Sequence, residues 1–159
     1  MTKRSAGLLM FRRRGGTLEV FLVHPGGPMW AKSDFGAWSI PKGEYEDGEK
    51  PLAAARREFA EETGMRAKGR MFALGEIKQP SGKLVKAWAF EGDFEPSKLR
   101  SNTFTMEWPR MTGKMREFPE IDRGGWFPID VARTKLLAGQ TGFLDELVVR
   151  LGGRKSCGD

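Results

Sequence analysis

The feature that most constrains this chain is a dense acidic stretch running into a helix-forming segment. Residues 43–65 carry seven acids (Glu44, Glu46, Asp47, Glu49, Glu58, Glu61, Glu62) against three bases (Lys50, Arg56, Arg57). That segment is −4, and the rest of the chain is +10, because the whole is formally +6. Pro51 suits a first helical turn, Ala, Arg and Glu fill the middle, and Gly64 is a good C-terminal stop, so a helix is predicted over 51–63. Glu58, Glu61 and Glu62 then share one helix face at spacings i, i+3 and i+4. Like charges at this spacing cost a helix about 0.2–0.5 kcal/mol per pair. A fold gains nothing from them unless a cation neutralises them. Mg²⁺ or Mn²⁺ takes oxygen ligands of this kind and also bridges to phosphates. Arg57, about 100° away around the helix, is placed to pair with the loop carboxylate of Glu49, while Leu52, Ala55, Phe59 and Ala60 supply an apolar side. For an isolated E-x-x-E-E the plain alternative is a solvated acidic face.

The remaining pattern is that of one α/β domain. Residues 6–11 and 18–23 read as strands of a hairpin turned at Gly15-Gly16. A Gly/Pro-rich loop covers 24–35, a short strand 37–40 and a polar loop 43–49. Strands are predicted at 70–77 and 83–91, irregular chain over 92–119, and a strand end at 125–128. Amphipathic helices follow at 129–137 and 142–151, and the tail 152–159 is expected to be flexible. Strands on both sides of a central helix suggest an α/β sandwich spanning residues 1–151.

Composition narrows the function classes. With 39% hydrophobic and 30% charged residues the chain is globular rather than disordered. No apolar run approaches the roughly 18 residues of a membrane span, so no membrane partner is expected. Cys157 is the only cysteine, which rules out an intrachain disulfide and suggests the reducing cytoplasm. His24 is the only histidine, leaving little from which to build a histidine metal site or a Ser-His-Asp triad. A pI near 9.7 suits anionic partners: nucleotides, polyphosphates or nucleic acid.

Gly43, Glu49, Arg57, Glu58, Phe59, Glu61, Glu62, Gly64 and Met65 occupy the frame G-x5-E-x7-R-E-U-x-E-E-x-G-U, where U is bulky and apolar. The chain thereby resembles the Nudix hydrolase family at every fixed position of the Nudix box. The approach Trp38-Ser39-Ile40-Pro41-Lys42-Gly43 resembles the W-x-x-P-K-G lead-in of the dinucleoside-polyphosphate, diphosphoinositol-polyphosphate and nucleoside-triphosphate branches. The hairpin from Ala6 to Arg12 and the stretch from Trp126 to Asp130 are also similar to the family layout. Residues 99–118 look like the bacterial proteins described as predicted NTP pyrophosphohydrolases.

The resemblance covers roughly residues 5–150 and implies the Nudix fold, a mixed β-sheet between helices. It implies metal-dependent hydrolysis of a phosphoanhydride bond in a nucleoside diphosphate linked to another group, with nucleoside triphosphates or dinucleoside polyphosphates preferred. ADP-ribose or diphosphoinositol-type substrates, capped or triphosphorylated RNA 5′ ends, and a nucleotide-sensing module without turnover are the alternatives. Sensing modules usually lose a box glutamate, and none is missing here. Pro80, 15 residues after Met65, has a spacing associated with ADP-ribose enzymes but also suits an ordinary turn. The only tyrosine is Tyr45, so the aromatic that dinucleoside-tetraphosphate enzymes place after the box is absent.

By the same resemblance Glu58, Glu61, Glu62 and the Gly43 carbonyl hold Mg²⁺ or Mn²⁺, with Glu49, Arg57 and Gly64 shaping the box. The general base differs between branches: Glu58 or Glu61 in the box, or Glu117 or Glu120 in the later loop. Glu120 is preferred because it lies nearer the Trp126 strand. Lys42 and Arg12 are candidate phosphate ligands. Trp88, Trp30, Phe35 and Phe90 are candidates for stacking on a base, although Trp88 and Phe90 alternate onto one strand face and suit a core equally well.

Overall fold

The computed structural model describes residues 3–152, so the tail from 153 onward, with Cys157, lies outside the described residues. The chain runs β1 (Arg4–Arg14), β2 (Thr17–Pro25), β3 (Lys42–Glu44), α1 (Pro51–Thr63), β4 (Met71–Lys78) and β5 (Leu84–Glu91). There follow β6 (Thr103–Glu107), β7 (Met115–Pro119), β8 (Ile121–Pro128), α2 (Ile129–Lys135) and α3 (Gly142–Arg150). The main sheet is ordered β4-β5-β1-β2-β8, with β3 also paired to β1. Only β1 and β5 pair in parallel, so the sheet is mixed.

The apolar run at the start of the chain explains why β1 sits centrally. A strand covered on both faces loses strict alternation and becomes continuously apolar. Leu8 and Met10 face α1, joining Phe21, Val23, Ala54, Ala55, Phe59 and Phe90. Leu9 and Phe11 face the other way, into a core with Leu22, Val85, Ala87, Phe143, Leu144 and Leu147. The sheet is thus sandwiched between α1 and the α2–α3 pair, the expected α/β arrangement.

Four local differences from the sequence reading are seen. Residues 37–40 form no strand and make only isolated bridges, Val23 to Ser39 and Trp38 to Leu136, because the chain there wedges in rather than running alongside a partner. The polar loop begins with β3, whose backbone pairs with Ser5–Gly7. Residues 92–119 contain the separate β6–β7 ribbon. Pro109 and Gly113 break its turn and obscure the alternation of Thr103-Phe104-Thr105-Met106. β8 is also longer than expected, since Gly124 and Gly125, poor strand formers, lie inside it.

Candidate functional site

The site forms where β1 and β2 part company. Their ladder holds from Phe11–Val20 to Arg14–Thr17, but toward the other end residues 39–44 insert between them. Leu8 N–H donates to the Pro41 carbonyl (3.1 Å) and Val23 N–H to the Ser39 carbonyl (2.9 Å). This wedge delivers Lys42 and Gly43 beneath α1. The helix spans Pro51–Thr63, with Pro in its first turn and Gly64 at φ 80°, whose N–H donates to the Ala60 carbonyl at 2.8 Å. Buried Ala54, Ala55 and Phe59 fix its rotation, bringing Glu58 over Gly43 and Glu62 to Lys42 of the wedge.

Each glutamate meets a different environment. The Lys42 N–H donates to Glu62 Oε1 at 3.3 Å. Glu58 lies so close over Gly43 that a Cβ there would overlap its carboxylate. Arg57 grips Glu49 with two parallel bonds, Nε to Oε2 at 2.9 Å and Nη2 to Oε1 at 3.1 Å. It also reaches Glu58 Oε2 at 2.7 Å and Glu61 Oε2 at 3.4 Å, so it binds the acidic face as well as the loop. Among the described residues no three acids or histidines converge at metal-ligand spacing. Arg57 draws Glu58 and Glu61 to itself, while Glu62 turns to the Lys42 backbone.

The electrostatics show how uncomfortable this cluster is. Burial pushes the Glu62 carboxyl up to about 8, against the pull of Lys42 and its N–H, with the charges of Glu58 and Glu120 adding to the rise. Burial raises Glu58 too, opposed by Arg57 and reinforced by Glu61 and Glu120. Lys42 is lowered, chiefly by burial and then by Lys83. A carboxylate cluster that resists ionisation is the environment a divalent cation relieves, so the donor set fits a hard metal.

A stability prediction follows. The folded chain keeps the Glu62 proton to about pH 8, whereas the unfolded chain releases it near the ordinary 4.5. Between those values the folded state holds more protons, so stability falls as pH rises. Without divalent metal, the melting temperature of wild type should drop from pH 5 to pH 8, and Glu62→Gln should flatten that slope. An unchanged slope in the variant would rule out this role of Glu62.

Glu120 joins the cluster through the backbone. Loop residues 100–102 cap the end of α1: Arg100 N–H donates to the Thr63 carbonyl and Asn102 N–H to the Glu61 carbonyl, both at 2.9 Å. Glu120 N–H then donates to the Asn102 carbonyl, and Gly26 N–H to the Glu120 carbonyl, both at 2.8 Å. This chain of bonds registers Glu120 against α1, and its charge acts on both Glu58 and Glu62. Beside it opens a slot of about 230 Å³. Val23, Pro25, Ala37 and Leu137 give it apolar walls, Trp30 a rim, and Lys42, Glu62 and Glu120 its charge. Trp30 is 42% exposed, so its ring is free to take a partner.

The structure does not bring the other candidates here. Arg12 lies at the hairpin end of β1, five residues and roughly 17 Å of strand from the β3 pairing at Gly7. There it is bound to Glu19 (2.8 Å) and Asp93 (2.7 Å) and stacked over Trp126 at 4.1 Å. Trp88 packs, half-buried, into the core under α1, and Phe90 is buried there as well. Phe35 lies near Lys135 at 4.8 Å, outside the slot. Glu117 accepts from Thr103 Oγ1 at 2.7 Å within the β6–β7 ribbon. The slot walls at Val23, Pro25 and Leu137 had no sequence signal, because apolar residues lining a cleft look like any others.

Known proteins share both sequence and fold with this chain. It is 31% identical over 149 residues to the 8-oxo-(d)GTP phosphatase of Mycolicibacterium smegmatis, covering 85% of this chain and 38% of that protein. It is 35% identical over 69 residues to the RNA pyrophosphohydrolase of Bartonella henselae, covering 41% and 37% of the two chains. The chain thus spans well under half the length of these curated relatives. Among solved structures, the C. elegans Ap4A hydrolase binary complex superposes with a TM-score of 0.62 at 21% identity, over 96% of this chain and 99% of that one. The NUDIX domain of Shewanella oneidensis NrtR, complexed with ADP ribose, gives 0.65 at 15% identity, over 95% and 89%. These two likenesses establish the fold. The NUDIX domain model matches residues 1–147, and the chain belongs to that family.

Proposed function

We propose that the protein is a divalent-metal-dependent pyrophosphohydrolase acting on nucleoside diphosphates linked to a further group, with nucleoside triphosphates and dinucleoside polyphosphates preferred. The observation that carries this reading is the meeting of Glu58, Glu62 and Glu120, from two separate segments, beside Lys42 and an apolar slot rimmed by Trp30. Glu58, Glu61, Glu62 and the Gly43 carbonyl would hold Mg²⁺ or Mn²⁺, which when bound would supply charge neutralisation for the phosphates and Lewis-acid activation of water. Lys42 contributes a positive charge for a phosphate. Glu120 removes the proton of the water that attacks phosphorus in line with the leaving group. Trp30 stacks on the base. The slot is smaller than the roughly 300–1,000 Å³ of a whole-ligand pocket, so it takes one end of a substrate and leaves the rest outside. The relative named as an 8-oxo-(d)GTP phosphatase supports a nucleoside triphosphate substrate.

Incubating the protein with nucleoside triphosphates, dinucleoside polyphosphates and ADP-ribose, with and without Mg²⁺ or Mn²⁺, tests the proposal by product identification. Metal-dependent release of phosphate, pyrophosphate or a nucleoside monophosphate supports it. Nucleotide binding without any product would leave a sensing module instead.

A second reading, RNA 5′ ends as substrate, is favoured by one observation. Lys98, Arg100, Arg110, Lys114 and Arg116 have no ion-pair partner among the described residues. Affinity for a 5′-triphosphorylated RNA that falls steeply with salt would favour this reading over a mononucleotide.

Arg57 offers a test of the loop brace. With its fork on Glu49 removed, Arg57→Ala should fold normally but bind Mn²⁺ about 10- to 100-fold more weakly, the usual cost of losing a group that orients ligands. Wild-type Mn²⁺ affinity by calorimetry would show that the brace does no such work.

A further inference from the structure

The geometry points to His24 as a positioning residue that ties together the two walls of the cleft, the loop carrying Trp30 and the strand following Glu120. This inference rests on the proposed roles of Trp30 and Glu120, but the contacts themselves do not. His24 is the only histidine and is fully buried near the end of β2. Nε2 donates to the Ser33 carbonyl at 2.6 Å. Nδ1 stands 2.9 Å from Asp122 Oδ1. The edge of Trp38 packs on the ring, with centroids 5.2 Å apart. Arg123, 3.6 Å from the same Asp122 oxygen, holds that carboxylate from outside.

Each bond leads to one wall. Ser33 N–H donates to the Trp30 carbonyl at 2.9 Å, and Trp30 N–H to the Gly27 carbonyl at 3.4 Å. The Trp30 loop is therefore a series of turns, and the Ser33 carbonyl is its tether to β2. Asp122 is two residues beyond Glu120 at the start of β8, where the β2–β8 register shifts between His24 and Pro25. Glu120 is further pinned by Gly26 N–H, two residues beyond His24. A Cβ on Gly26 would overlap the Pro119 carbonyl, so β2 and the Glu120 turn are in close backbone contact. One imidazole thus sets the separation between the stacking ring and the carboxylate. The imidazole that makes both bonds is fully buried, and a buried polar group loses most when one of its partners is removed.

The two bonds are separable by side-chain geometry. Gln carries its amide nitrogen about where Nε2 sits, so His24→Gln retains a donor for Ser33 and loses Asp122. Asn carries its nitrogen about where Nδ1 sits, so His24→Asn retains Asp122 and loses Ser33. Asp122→Ala breaks the Asp122 link without altering the buried position, which guards against a misfolded His24 variant.

Amide hydrogen exchange on the whole protein reads the brace without turnover. His24→Gln and Asp122→Ala should speed exchange at Gly26 and residues 120–123 while 29–33 stay as in wild type. His24→Asn should give the converse. Equal acceleration of both segments in every variant, or none in any, would overturn the proposal. Kinetics should divide in the same way. His24→Gln and Asp122→Ala should lower kcat about ten-fold with KM nearly constant, through a misplaced Glu120. His24→Asn should raise KM about ten-fold with kcat largely kept, through a loosened Trp30. Parallel loss of kcat and KM in all three would also count against it. If wild type hydrolyses none of the nucleotides, the hydrolase reading fails and the exchange pattern still decides the brace.

Discussion

Glu120→Gln is expected to bind metal and nucleotide as wild type does and to lose about 10²- to 10⁴-fold in kcat, the typical worth of a positioned general base. The turn that bears Glu120 is fixed by backbone bonds to Asn102 and Gly26 rather than by its own side chain. The amide should therefore occupy the same place with no proton affinity. A lost metal ligand would behave differently, with metal affinity falling alongside rate. Glu117→Gln is the control, since Glu117 is engaged with Thr103 in the ribbon. If Glu117→Gln is the slow enzyme and Glu120→Gln is not, the assignment moves to Glu117. If both turn over normally, the base lies in the box, with Glu58 first in line.

Gly43→Ala should separate stability from function. The new methyl group would occupy the place of the Glu58 carboxylate. That carboxylate is the far end of a flexible side chain, so it can swing aside at a stability cost of about 1 kcal/mol. The swing removes a proposed metal ligand from its position and strains its bond to Arg57. Activity should fall at least about 100-fold, because displacing a reacting constellation by an ångström costs this much. Thermal melting and Mn²⁺ titration together check the outcome. A variant with wild-type metal affinity would mean Glu58 does not bind the ion where it now lies.

The two halves of the site were legible in the sequence to different degrees. Helix α1 was readable to its boundaries because Pro51 and Gly64 act locally and Glu58, Glu61 and Glu62 declare a face by spacing alone. Arg57 was only partly so: its reach to Glu49 follows from loop proximity, but its hold on Glu58 and Glu61 depends on a long side chain folding back over the helix. Glu120 could be nominated from its distance to the Trp126 strand. Its registry against α1 runs through main-chain atoms of Asn102 and Gly26, which carry no residue code. The ion pairs of Arg12 were not legible, because a basic hairpin turn gives no hint of Glu19 and Asp93 closing on it. The β6–β7 ribbon stayed hidden because its polar, Pro- and Gly-interrupted sequence lacks a buried face.

The parallel ladder of β1 has a consequence for how the chain is made. Arg4 lies opposite Leu84 and Phe11 opposite Glu91, so the apolar stretch Arg4–Phe11 of β1 waits for a partner roughly eighty positions later, a loop closure with a real entropic cost. During synthesis from the N-terminus, the hairpin and α1 emerge first, leaving one edge of β1 bare until β5 leaves the ribosome. A nascent chain halted before Leu84 should therefore be sticky and prone to aggregation. Helix α1, enclosed within that long loop, would gain its final footing only when the ladder closes.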